Sequence, residues 1–424
     1  MFRPADEGKT RAVFTASLRL ALLATASAVY IALPALLDAG DSSGQHFTEL
    51  AYAFLQGKLA IEVTPQALAR GLATEELIPS PIPGHFYCAY PPLPAVLLLP
   101  FVTIFGPAIR VAWACRIVST LNVLLFDACL ARLPQRLGWQ RLNLLPRAML
   151  DLFFAFGTSV WHVSLLGGDW HLAHAVALAA LLLAMREWAA ADRPLVVGCC
   201  SGLAILARPT CGLTALFFLL PLLRARAWRA IALFVIGPLV AVCMLGGYNQ
   251  ARFGTPLDFG YDRMLLTGAG RDLMARYGQF DLHFVATNFF RFFLAPPWPL
   301  AHGRFPFLGY DPYGLSLFLA SPAMLYALVG VWRGYRLPFV RDAAAGIGAC
   351  LVPLLLYFNT GFGQFGHRFS MDYLPLLMVL VLAGMGPRPS RLAYGLLSLS
   401  IAIHGVAIAS TPITQIPAWL RPPL

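Results

Sequence analysis

Charge is what this sequence has least of. Of its 424 residues only 12% are Asp, Glu, Lys or Arg, while 58% are hydrophobic; a soluble domain carries roughly twice that charged fraction. Lysine is nearly missing: Lys9 and Lys58 are the two in the chain, so the net charge of +11 is almost wholly arginine. Paired loop cysteines are missing too. Cys115, Cys129, Cys199, Cys200, Cys211, Cys243 and Cys350 lie in apolar runs, and Cys88 stands alone in a long loop. That excludes a loop disulfide within the chain, and no cysteine spacing of the zinc type occurs. The apolar runs do not alternate, which excludes barrel strands. With no fixed-period repeat and no low-complexity linker, residues 1–424 read as one membrane domain.

What is present is a series of apolar runs, several long enough to cross a bilayer, where roughly 20 helical residues are needed. The spans are read at 13–37, 110–131, 144–166, 171–188, 194–207, 210–223, 229–248, 313–332, 343–358, 371–386 and 391–410. The first run is too long for a signal-peptide core and reads as an uncleaved helix. The fold class expected is an all-α polytopic membrane protein of about 11 transmembrane helices, with interfacial helices in two large loops, 38–109 and 249–312. With the N-terminus in the cytoplasm, the connectors Arg132–Arg141, Arg186–Arg193, Arg224–Arg229, Arg333–Arg341 and Arg388–Arg391 all fall inside. Between adjacent spans, the connectors outside hold only Arg208 and Arg368. This is the asymmetry of the positive-inside rule. It makes the arginines topology signals facing membrane lipid rather than a nucleic-acid surface, and it puts both large loops and the C-terminus outside, in the periplasm of a bacterial inner membrane. Leu93–Phe105 is short and proline-flanked, so it reads as an interfacial or re-entrant helix; counting it as a span would invert the charge pattern.

In the first large loop, Asp38 and Asp41 precede Ser42 and Gln45, a pair spaced as a capping box. Phe47, Leu50, Ala51, Phe54 and Leu55 then form an apolar helical stripe, with His46, Glu49 and Gln56 on the other face and Gly57 as the stop. Such a helix is expected to lie with its apolar face in lipid and its polar face solvated. Asp41, at the helix N-terminus, is expected to be ionised. It serves either as a proton acceptor or as a wet loop residue that helps cap the helix.

The acidic loop after helix one, then "HFTELAYAFLQGKL" and "YPPLPAVLLLPFVTIFG", resembles the GT-C class of glycosyltransferases. Within it, the similarity is to the protein O-mannosyltransferase and lipid A aminoarabinose transferase branch. "GLAILARPT" at 202–210, "YNQARFGTPLDFGY" at 248–261 and "FGHRFSMDYLPLL" at 365–377 extend the resemblance over most of the chain. The resemblance implies transfer of a sugar from a polyprenyl-phosphate donor to an acceptor hydroxyl on a glycan, lipid or protein. One carboxylate would act as general base, with cations on the departing phosphate. The branch carries an acidic pair before the amphipathic helix, where this chain reads Ser43-Gly44 or Gln45-His46; Asp41 would fill the role through a shifted loop, with Asp38 beside it.

Further candidates follow from the same reading. Asp169, in Gly167-Gly168-Asp169-Trp170-His171, would support the base, hold a divalent metal with His171 and His174, or N-cap its own helix. Arg116 and Arg208 suit a phosphate or the headgroup boundary. His367 and Arg368 follow a glycine-rich turn that lets backbone approach a ligand. His46 joins them as a substrate contact, and Tyr248, Asn249 and Tyr261, opening the second loop, are expected on the acceptor side. Asp127 and Asp151 read as structural. Two other classes stay open: a lipid or solute transporter or flippase, because Arg208-Pro209 interrupts a span, and a catalytically silent glycolipid-binding relative.

Overall fold

Apolar segments in lipid must close their backbone hydrogen bonds internally, so they form helices. In a computed structural model of the chain, describing residues 17, 19–22, 24–36, 44–266, 268–299 and 308–410, they do so in nearly every run read from the sequence. Asp38, Asp41 and Ser42 lie outside the described residues.

The first helix, α1, is Arg19–Ala32. In the first long loop come α2 (His46–Leu55) and α3 (Leu93–Phe105). Then follow α4 (Val111–Leu130), α5 (Leu144–Phe156), α6 (Ser159–Leu166), α7 (Asp169–Ala190), α8 (Pro194–Ala207), α9 (Leu216–Arg224) and α10 (Trp228–Phe253). After the second long loop come α11 (Leu325–Gly334), α12 (Pro338–Leu356), α13 (Leu374–Met385) and α14 (Arg391–Ser410). Five of these (α4, α7, α10, α12 and α14) are long and apolar enough to cross a membrane singly, and α5 with α6 makes a sixth candidate bent by 43°. Shorter apolar helices stand at four of the other expected positions, those of α1, α8, α9 and α13. The 313–332 run is not one helix: Ser321 and Pro322 divide it into Leu317–Ala320, a 3-10 turn and α11. The α8–α9 pair breaks at Arg208 as expected, with a 3-10 turn over Pro209–Ala215.

On α10, Leu233, Val235, Ile236, Leu239, Val240, Val242 and Met244 all face outward. Apolar surface of this extent is stable only against lipid, so the chain is a multi-spanning membrane protein. Lipid tails are as apolar as side chains, so helices associate there by close packing of small residues. A Cβ on Gly198 of α8 would stand 2.0 Å from the Phe234 carbonyl oxygen of α10, and one on Gly384 of α13 would stand 2.0 Å from that of Tyr326 on α11.

The first long loop is a folded cap. Its strands β1 (Ile61–Glu62), β2 (Leu77–Pro79) and β3 (His85–Cys88) form an antiparallel sheet in the order β1-β3-β2. Most of the stripe on α2 is covered by protein: Phe47, Leu50 and Ala51 are buried against α3 and the cap, Phe54 is half-buried, and Leu55 at the end of the helix is exposed. Of its polar face, His46 and Glu49 are buried, Glu49 taking a two-pronged contact from Arg70 at 2.7 and 2.9 Å, while Gln56 is exposed. A 3.6-residue stripe says that one face must be covered, not whether lipid or protein covers it.

Candidate functional site

The two long loops meet. The Glu76 amide donates to the Leu265 carbonyl at 2.9 Å, and the Leu265 amide to the Leu77 carbonyl at 2.8 Å. Beneath this junction lie the start of α7, the break after α8 and the turn between α12 and α13.

The start of α7 anchors the first loop. Asp169 does not cap its own helix; its carboxylate accepts the His46 amide at 3.2 Å and the Phe47 amide at 3.0 Å, capping α2 across a wide sequence gap. Free N–H groups at a helix start attract a carboxylate. Gln45 is the N-cap residue of α2, in a left-handed backbone. Gly44 must be glycine, because a Cβ there would stand 2.0 Å from Asp169 Oδ2. His46 Nδ1 also lies 3.0 Å from Asp169 Oδ2. Burial pulls the imidazole down, but the charge and hydrogen bond of Asp169, with Glu76 and the Ala73 carbonyl, together hold the group above its usual range. His171 Nδ1 accepts the Gly168 amide at 3.1 Å, while His174 turns to Asp372. Asp169, His171 and His174 thus have three different partners and do not form a metal set. Among the described residues no three His, Cys, Asp or Glu side chains converge on a cation site.

Two arginines dominate the other side. Arg208 grips Asp372 through Nε and Nη2 at 2.6 and 3.0 Å; Thr210 donates to the same carboxylate at 2.6 Å, and His174 Nδ1 lies 3.0 Å away. An ionised carboxylate only accepts, so His174 Nδ1 carries the hydrogen. Burial would raise Asp372, yet the Arg208 charge and these donors hold it well below the usual carboxylate range. Arg208 keeps 18% of its side chain accessible, and its Nη1 has no hydrogen bond among the described residues. Arg368 is different. It is buried at 5% exposure, donates through Nη1 to the Phe362 carbonyl at 2.7 Å and lies 5.0 Å over the Trp170 ring. Its Nε has no partner, and no carboxylate is within ion-pair range among the described residues. Burial and the neighbouring Arg208 pull it down to about 10.

Trp170 joins this cation to an acid. Its Nε1 donates to Glu76 Oε2 at 2.6 Å, and Tyr90 donates to the same oxygen. Burial pushes Glu76 up to about 7, against the pull of Trp170, His46 and Arg368. Tyr261 sits within electrostatic reach of Arg208 and Glu76 and is pushed up to about 12 by burial.

The remaining candidates stand apart. Arg116 turns to the Leu165 carbonyl at 3.4 Å. Tyr248 and Asn249 do not open the loop, because α10 runs on to Phe253. Asn249 is buried, donates to the Pro256 carbonyl and accepts from Arg252, while Tyr248 stacks under the Arg252 guanidinium. His367 stacks on Phe292 at 3.6 Å inside the core, and burial pulls it down to about 3. Its glycine-rich turn is held shut by Gln364, which donates to Tyr313 and Thr360 carbonyls. Glu76, Tyr90, Trp170 and Asp372 were missed. Asp372 had a signal: a lone acid between apolar runs needs a cationic partner, and Arg208 was on hand. Glu76 had none, since Glu75-Glu76 in a polar loop reads as solvated charge.

Beside Arg208 an apolar groove of about 730 Å³ runs between the Pro209–Ala215 turn and α10, lined by Ile205, Pro209, Val242, Leu245, Leu257 and Phe259 among others. The arrangement can hold an anion at the arginines, an apolar chain in the groove and a proton on Glu76. No family model matches the chain, and no curated protein matches it in sequence. Among solved structures it is similar to ArnT from Cupriavidus metallidurans bound to undecaprenyl phosphate, at 14% identity and a TM-score of 0.48, covering 93% of this chain and 63% of that one.

Proposed function

We propose that this chain is a glycosyltransferase that moves a sugar from a polyprenyl-phosphate carrier to an acceptor hydroxyl at the outer face of the cytoplasmic membrane. The observation that carries the reading is Arg368, a buried guanidinium with no carboxylate in ion-pair range among the described residues, next to a second arginine. A buried cation lacking a counter-ion is costly, and a phosphate on the ligand would supply one. Arginine matches phosphate geometry, and Arg208 Nη1 stands ready as a second contact. The groove beside Arg208 suits the apolar chain of a lipid carrier. Outside the cytoplasm nucleotide sugars are not expected, whereas a lipid-linked sugar arrives through the bilayer with its leaving group built in.

A second reading, lipid or solute transport, draws on the interrupted pairs α5–α6 and α8–α9. The test uses the full chain in lipid vesicles with a panel of radiolabelled polyprenyl-phosphate sugars and candidate acceptors. A transferase releases polyprenyl phosphate, and Arg368→Ala lowers kcat/KM by about 100-fold or more, the scale seen when one preorganised donor is removed. Label that crosses the bilayer unchanged selects transport. Donor binding without turnover selects a silent glycolipid-binding relative.

A further inference from the structure

We propose that Glu76 is the group that takes the acceptor's proton, with Trp170 holding it in register with Arg368. The proposal rests on the transferase reading above. Three carboxylates lie around the arginines among the described residues, and two of them are fully occupied. Asp169 uses both oxygens to cap α2 and holds His46. Asp372 uses both on Arg208, Thr210 and His174. Glu76 takes Trp170 and Tyr90 on Oε2 alone and leaves Oε1 without a hydrogen bond among the described residues. One indole therefore carries a cation on its face and an acid at its edge. A transfer reaction needs a cation for the leaving phosphate and an acceptor for the hydroxyl proton held in one fixed frame, and this indole links the two. Glu76 also stands at φ +65°, a left-handed backbone that strains a residue with a Cβ. Strain of this kind gathers at working sites.

In the step, the acceptor O–H bond breaks and its proton passes to Glu76 Oε1. The oxygen forms a bond to the anomeric carbon, whose bond to the phosphate oxygen breaks. The electron pair leaves with the polyprenyl phosphate at Arg368 and Arg208, and Glu76 then returns its proton to water. The groups facing Glu76 are His46 on α2, Asp169 on α7, Arg368 after α12, Tyr90 and Cys88 of its own loop, Tyr261 of the second loop and Tyr357. A base titrating near 7 works at neutral pH and fails below it.

The experiment measures donor consumption and donor affinity in vesicles from pH 5 to 9 for wild type, Glu76→Gln, Glu76→Asp and Asp41→Asn. Wild-type kcat/KM is expected to fall about tenfold per pH unit below about 7. Glu76→Gln should lower kcat by about 10²- to 10⁴-fold, keep donor affinity and lose the acidic limb, which a merely structural role would not do. Glu76→Asp keeps a carboxylate and should shift that limb; if the glutamine variant does not fold, this shift decides, and an unmoved limb overturns the proposal. A Glu76→Gln enzyme with an intact limb and more than a tenth of wild-type kcat overturns it, as does loss of the limb in Asp41→Asn alone. Wild type that binds but consumes no donor fails at the parent reading instead, and the proposal falls with it.

Discussion

Arg208 and Asp372 differ from a surface ion pair in what each would suffer alone. The carboxylate is fully buried, with four donors arranged on its two oxygens. Removing the charge from one side leaves a desolvated guanidinium facing an amide, and breaking a buried pair this way costs about 3–5 kcal/mol. Asp372→Asn is therefore expected to lower stability by that amount in detergent unfolding, and Arg208→Met in the same chain should recover part of it. A loss below about 1 kcal/mol would mean that water reaches the pair. At this scale the sequence was half legible. Arg208 and Arg368 stood out because arginine near apolar runs is rare enough to need a reason. Asp169 stood out as well, but its work lies at the start of another helix, which no local spacing records. Glu76 became visible only once Trp170 and Tyr90, distant in sequence, closed on it. Tyr248, Asn249 and His367 read as loop and turn residues in the sequence but lie at the end of a helix and in a packed core.

Helices were the most legible part, because a run that must bury its backbone polar groups in lipid has few alternatives. Where the chain breaks, proline and its neighbours mark the place: Arg208-Pro209 is legible in the sequence, whereas Ser321-Pro322 is hidden in an otherwise apolar run. The cap sheet was not read, since strands as short as Ile61–Glu62 carry no period. Helix contacts were illegible too, because glycine in an apolar run looks the same whether it faces lipid or another backbone. The structure puts Gly237 of α10 against Gly198 of α8, where a Cβ would come within 2.2 Å of the Gly198 carbonyl. Neither backbone can yield without moving its helix. Gly237→Val should therefore destabilise by at least the 1–3 kcal/mol typical of overpacking, read as a lower melting temperature in detergent. Valine at Gly247 of the same helix, where nothing stands within 4 Å, should be far milder. Equal effects at the two sites would show that helix propensity rather than the contact is being measured.

For the whole molecule, the arginine connectors do two jobs. Arg136 pairs with Asp192, Arg193 with Glu187 at 2.7 Å, and Arg224 with Asp342. The connectors that would be held inside by the positive-inside rule also stitch neighbouring helices together. The docked loops add a constraint that charge alone lacks. Because Leu265 bonds to Leu77 and Glu76, the first and second long loops must lie on one side of the membrane. An even number of crossings must then separate them. The reading with six spans from 110–131 to 229–248 meets that condition, and counting Leu93–Phe105 as a further span breaks it. A protease site inserted at the exposed turn of residues 81–84, and one at Asp272 in the second loop, should accordingly be cut together in spheroplasts, while one at Gly138 should be cut only in inverted vesicles. If the sites at 81–84 and 272 are cut from opposite faces, the docked loops are not those of the folded protein. If both are cut only from the cytoplasmic face, the loops stay together but the sugar chemistry loses its setting, because nucleotide donors are available there and a lipid-phosphate carrier is no longer required.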